Sequence, residues 1–67
     1  MFYLYENIVE SPNLDKLHLD VAISTMTDKN IQWCRWDEDI TTLKVVFDNI
    51  LSHEDENLLA GIVQNNL

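Results

Sequence analysis

The sequence is poor in the residue types that build disulfides, tight turns and basic surfaces. Its 67 residues include one cysteine, one glycine, one proline and four basic residues. A single cysteine excludes an internal disulfide, and one glycine leaves no glycine-rich loop that would hold phosphate groups. No apolar run approaches the roughly 20 residues that a membrane-spanning helix needs. The chain therefore lacks the signatures of a disulfide scaffold, a nucleotide-binding loop and a membrane span.

Negative charge dominates, with twelve acidic residues and a formal net charge of −8. The basic residues are scattered singly: Lys16, Lys29, Arg35 and Lys44. Binding to nucleic acid or to an anionic membrane depends on clustered lysine and arginine. We therefore expect no direct contact with nucleic acid or membrane.

The apolar fraction of 46% is typical of a chain that folds, and its length suits one small core. We predict a single domain spanning 1–67. The chain opens without the charge and apolar order of a signal peptide. We expect an intact small gene product that is made in a reducing cytosol.

Residue patterns predict the order strand, helix, strand, strand, helix. The alternating or β-branched segments and the segments with helical spacing are, in order, 2–8, 12–24, 31–36, 43–47 and a last helix that begins after 52. The fold class expected is α+β, with a three-stranded antiparallel sheet and two helices on one face. Placing the third strand between the other two makes both neighbouring pairs antiparallel.

Each helix start has a local signal. Ser11 is expected to cap the first helix with Pro12 in its first position. Ser52 is expected to cap the second helix while Asp55 reaches back to it. Gly61 lies inside that helix, where glycine is unfavourable, so we expect a close approach to the sheet there.

Strand parity predicts which side chains share a face of the sheet. The side chains expected to face the helices are Leu43, Val45, Phe47, Ile31, Trp33, Phe2, Leu4 and Ile8. The opposite face is then expected to carry the candidate protein interface: Tyr3, Tyr5, Cys34, Trp36 and Val46. Tyrosine and tryptophan are enriched at protein interfaces. The alternatives are that these residues only cover the sheet backbone, or that the core has two sides.

No group of residues predicts catalysis. His18 and His53 are isolated from other metal ligands. The acidic run 37–39 lacks the central glycine and terminal glutamate of a calcium loop. No serine, threonine or cysteine lies in a nucleophile motif. We predict a protein that is not an enzyme and has no cofactor and no metal.

The segment LKVVFDNILSHEDENLLAGIV, from Leu43 to Val63, resembles short domains of tailed-bacteriophage virion proteins. The preceding LDKLHLDVAISTMTDKNI is similar to their first helix, so the resemblance covers most of the chain from Leu14 onward. It implies a small structural or assembly protein present in many copies in a virion. The framework residues that carry it are Leu43, Val45, Phe47, Leu51, Ser52, Leu58, Ile62 and Val63. Such domains often close with a histidine, whereas this chain ends Asn65-Asn66-Leu67.

Two hypotheses follow for function. In the first, a bacteriophage structural protein binds other virion subunits through its open sheet face or a strand edge, where unpaired backbone groups invite strand addition. In the second, an acidic phage-encoded inhibitor imitates nucleic acid and binds a host enzyme. Salt separates them, because affinity that rests on charge falls steeply as salt rises.

Overall fold

A computed structural model describes the whole chain, residues 1–67, as three strands and two helices. The elements are β1 (Phe2–Tyr5), α1 (Leu14–Ile23), β2 (Ile31–Asp37), β3 (Thr42–Phe47) and α2 (His53–Asn65). The sheet has the order β1-β3-β2, and both neighbouring pairs are antiparallel. The predicted α+β class and the order of elements are confirmed.

The central strand β3 supplies the middle of the core. Leu43, Val45 and Phe47 alternate along it and are fully buried against the helices. The core is completed by side chains from the loops and both helices: Ile8, Leu17, Val21, Met26, Leu51, Leu59 and Val63. Each fully buried aliphatic or aromatic side chain stabilises the fold by about 1.5–3 kcal/mol. This core lies on one side of the sheet only.

Helix α1 begins later than the sequence predicted. Asn13, and not Ser11, is the N-cap, and its side-chain oxygen accepts a hydrogen bond of 3.0 Å from the Lys16 amide. Asparagine is as good a cap as serine, and it stands directly before the apolar spacing of the helix. Only Leu17 and Val21 of this helix are buried.

Helix α2 starts at the predicted cap. The Ser52 hydroxyl oxygen accepts a 3.1 Å hydrogen bond from the Asp55 amide. The Asp55 carboxylate does not reach back to Ser52; it is buried and accepts from the amides of Thr27 and Asp28 at 2.9 and 3.0 Å. The prediction that Gly61 closely approaches the sheet is also wrong, because this glycine is exposed and an added Cβ would meet nothing within 4 Å.

Two residues with positive φ shape the end of the sheet where β1 finishes. Asn7 has φ 61° and ends the first strand, and Thr41 has φ 47° in the hairpin between β2 and β3. Ile8 joins them, since its amide donates to the Thr41 carbonyl at 2.8 Å and its carbonyl accepts from the Trp36 indole at 2.9 Å. The loop after β1 is thereby fastened to the hairpin. Neither helix is long and apolar enough to cross a membrane.

Candidate functional site

The helices leave one face of the sheet uncovered. Directly opposite residues of paired strands point to the same side, and the buried residues of β3 mark the side of the helices. The other side, which we call the open face, carries Phe2, Leu4, Trp33, Arg35, Asp37, Thr42, Lys44 and Val46. Phe2 and Leu4 are 56% and 51% exposed, and Trp33 is 43% exposed.

Four of the five predicted interface residues do not lie on the open face. Tyr3 and Cys34 are opposite Val45, while Tyr5 and Trp36 are opposite Leu43. All four pack against the core under the helices. Only Val46 keeps its predicted position. One face of the sheet is uncovered, as expected, but the side chains that β1 and β2 place on it are those next in sequence to the predicted ones.

A bulge changes the parity of β2. Ile31 is opposite Phe47, but Trp33 is opposite Val46, so two steps along β2 match one step along β3. The extra residue is Gln32. Strict alternation would put Ile31 and Trp33 on the same side, whereas a bulge puts them on opposite sides. Ile31 therefore packs against the core as predicted, and Trp33 lies on the open face.

The parity of β1 is inverted, because both of its tyrosines pack against the core and the hydroxyl of Tyr3 finds a hydrogen-bond partner there. The Tyr3 hydroxyl oxygen accepts a 2.7 Å hydrogen bond from the Leu51 amide, and the Tyr3 ring meets Phe47 edge to face at 6.0 Å. Burial, helped by nearby Glu56 and Tyr3, raises the pKa of Tyr5 to about 12. Phe2 and Leu4, predicted to face the helices, are left on the outside.

The remaining predicted interface residues are also interior groups. Trp36 donates its indole N–H to the Ile8 carbonyl, which fixes the ring beneath the loop. Cys34 is half-buried, and burial together with the charge of Asp15 raises the pKa of its thiol. A thiol with a raised pKa is a weak nucleophile at neutral pH.

Charged residues on β2 carried the signal that sequence analysis missed. Arg35 and Asp37 have the same parity as Trp33, and placing this set under the helices would have buried two charges. Their charge alone thus assigns Trp33 to the solvent side and Trp36 to the core.

The open face forms a shallow groove along β3. Phe2 and Leu4 form one wall, and Trp33 and Arg35 form the other. Lys44 lies on the floor between them. The depression has a volume of about 510 Å³ and extends to Ile40 in the hairpin, which is also exposed. It is wide, open and mostly apolar in its walls.

Lys44 is the central charge of the groove. Its ammonium lies 4.4 Å from the centre of the Phe2 ring and 5.7 Å from that of Trp33, so both rings stabilise it by cation–π attraction. The only ion pair in the chain joins Lys16 to Asp20. Lys44 therefore has aromatic partners but no carboxylate partner.

The open face differs in charge from the rest of the protein. Arg35 and Lys44 against Asp37 give it one net positive charge, so the rest of the chain has a net charge of −9, since the whole chain carries −8. An apolar groove with positive charge on an acidic protein is a surface suited to binding.

No cluster of three or more histidine, cysteine, aspartate or glutamate side chains that would hold a metal ion is present. His18 and His53 are both exposed. Comparison of the chain with protein-family models, with curated proteins and with solved structures found no match.

Proposed function

We propose that this protein works by binding another protein through its open face. The observation that carries the proposal is the contiguous exposure of Phe2, Leu4 and Trp33 on a sheet face that no helix covers. Exposed aromatic and aliphatic side chains that adjoin one another on a small domain are typical of interaction surfaces. The groove is shallow and has no converging acid, base and nucleophile, which favours a partner surface over a reacting substrate.

The place of this binding is proposed from the sequence resemblance to bacteriophage domains. A small structural or assembly protein of a virion would use the open face to join neighbouring subunits in many copies. Mass spectrometry of purified virions tests this, with detection at many copies per particle as the expected result. Absence from particles would contradict the virion role and leave protein binding itself intact.

The second candidate is the acidic inhibitor that imitates nucleic acid. The net charge of −9 outside the open face favours it. Such an inhibitor would bind through its acidic surface, and its affinity would fall steeply with salt. Binding through the open face is more apolar and depends less on salt.

A pair of matched variants tests the use of the open face. Trp33→Thr removes the largest open-face side chain while keeping a residue that favours strands. Ile23→Thr is the control, because Ile23 is a large apolar residue that is exposed on α1 and is not part of the open face. Tagged protein is recovered from the native host, and the partner is expected with the wild type and Ile23→Thr but not with Trp33→Thr.

Circular dichroism of both variants checks that they remain folded. Retention of the same partner by folded Trp33→Thr would refute binding through the open face.

A further inference from the structure

We infer that the element bound by the open face is an amphipathic helix of another protein with carboxylates beside its apolar stripe. This rests on the proposed function and adds the shape and charge of the partner. Lys44 is the residue that would hold a carboxylate, and Phe2 and Trp33 would contact the apolar stripe.

The width of the open face fits one helix lying on it. The groove walls stand on the two outer strands, which are about 10 Å apart because neighbouring strands lie about 4.8 Å apart. A helix with its side chains is about 10 Å across, so it would rest on Phe2, Trp33 and Lys44 rather than enter between them. Strand β2 has seven residues and spans about 23 Å, whereas β1 has four residues and spans about 13 Å. A partner helix would therefore contact both outer strands over roughly 9 residues and would cover the whole of β2 with roughly 15. The same sheet already packs two helices on its reverse side, so the partner helix would complete a third layer.

The charge of the groove selects carboxylates. Lys44 and Arg35 are directly opposite each other on β3 and β2, and neither forms an ion pair within the chain. A carboxylate that entered above Lys44 would gain charge-assisted hydrogen bonds from the ammonium and attraction from the neighbouring guanidinium. A partner that covers the open groove would displace water from this position, and the attraction would then be stronger than at an open surface.

Charge disfavours the other occupants. In a two-fold dimer through this face, each copy would present Arg35, Lys44 and Asp37, so that two faces of net charge +1 would meet, and each copy would carry a total charge of −8. An anionic membrane would attract two cations but repel the rest of the chain, which has a net charge of −9. A helix of limited length avoids both penalties, since its far side is free to carry basic residues that face the acidic flanks.

Three designed peptides test the inference. Each is a capped helix of about 16 residues with the same leucine stripe, and the positions beside the stripe carry glutamate, glutamine or lysine. Affinity is measured by fluorescence anisotropy, and the bound face is located by amide chemical shifts in NMR. We expect shifts on the open-face strands, with the glutamate peptide binding about tenfold more tightly than the glutamine peptide. The lysine peptide should bind most weakly.

Two lysine variants isolate the charge that matters. Lys44→Met keeps the length and apolar stem of the side chain but removes the ammonium. Lys29→Met is the matched control, because Lys29 is exposed in the loop before β2 and its removal changes the net charge equally. Lys44→Met should lower affinity for the glutamate peptide about tenfold and leave the glutamine peptide unchanged. Lys29→Met should change neither.

The outcomes separate this inference from the proposed function. Equal affinity for the glutamate and glutamine peptides would overturn the inference while the Trp33→Thr result still supported binding through the open face. Failure of all three peptides would overturn it too. Open-face binding to phosphatidylglycerol vesicles, or dimerisation through this face in analytical ultracentrifugation, would identify a different occupant. Retention of the native partner by Trp33→Thr would instead refute the proposed function.

Discussion

Replacement of Asp55 by alanine should remove the two hydrogen bonds that join the start of α2 to the connection between α1 and β2. The carboxylate lies in the first turn of α2 and accepts from the amides of Thr27 and Asp28 in the connection between α1 and β2. Both bonds join groups more than 25 positions apart in the sequence. We therefore expect Asp55→Ala to release the connection and to lower the free energy of unfolding.

The magnitude follows from the two contacts. A hydrogen bond to a charged acceptor contributes about 1.5–3 kcal/mol. Thr27 is exposed and Asp28 is half-buried, so water reaches both amides in the variant, and the lower value applies to each. The loss is then about 3 kcal/mol, to which the helix dipole adds about 0.3–1 kcal/mol. Small domains have roughly 0.05–0.15 kcal/mol of stability per residue, so this change removes a large fraction.

Urea denaturation followed by circular dichroism measures the effect. Glu54→Ala is the matched control, since Glu54 lies in the same helical turn, carries the same charge and is exposed without a side-chain hydrogen bond. The control should lose only the contribution of the dipole. If the free energies of unfolding of Asp55→Ala and Glu54→Ala lie within about 0.5 kcal/mol of each other, the Asp55 carboxylate does not stabilise the connection between α1 and β2.

Three further measurements test the packing described above. Gly61→Ala should raise the free energy of unfolding by about 1 kcal/mol, because the position is helical and open, and Ala60→Gly should lower it by a similar amount in the same denaturation assay. The changes in the free energy of unfolding should therefore have opposite signs in the two variants. A loss of stability in Gly61→Ala would show that the added methyl group meets a neighbouring atom and would contradict the open position of Gly61. Since unfolded tyrosine ionises near pH 10 and the pKa of Tyr5 is about 12 in the fold, the unfolded state loses its proton first. The contribution of Tyr5 to the free energy of unfolding should therefore be fully present below pH 10 and be lost between pH 10 and 12. In denaturation curves measured across this range, Tyr5→Phe should show a smaller loss of stability than the wild type. The Cys34 thiol, whose pKa burial raises, should react with a disulfide reagent more slowly than glutathione at pH 8 and speed up in denaturant; an equal rate in the folded protein would contradict its interior position.

The sequence predicted the elements of this fold because their signals are local. The β-branched run of β3 and the serine cap of α2 depend on neighbours in the chain, and both are confirmed. The position of β3 between the other strands is confirmed as well. It followed from the requirement that both neighbouring pairs be antiparallel.

The composition of the candidate site was predicted less well because it depends on contacts between distant residues. The bulge at Gln32 inverts the side of Trp33, and strict alternation along β2 does not predict the two-to-one pairing with β3, although the charges of Arg35 and Asp37 indicate on which side Trp33 lies. The inward position of Tyr3 depends on the Leu51 amide, which lies 48 positions later. A tyrosine whose hydroxyl finds such a partner inside the protein packs as a core residue, although tyrosine is also typical of interaction surfaces.

The same bulge has a consequence for self-association in concentrated solution. An edge strand with unpaired backbone groups is a template for aggregation by strand addition, and natural proteins avoid this with edge strands that are very short or contain bulges. Here one margin is the interrupted β2 and the other is β1, which has four residues. Apolar side chains can therefore stay exposed on the open face, while the irregular and short edge strands disfavour the growth of fibres by strand addition.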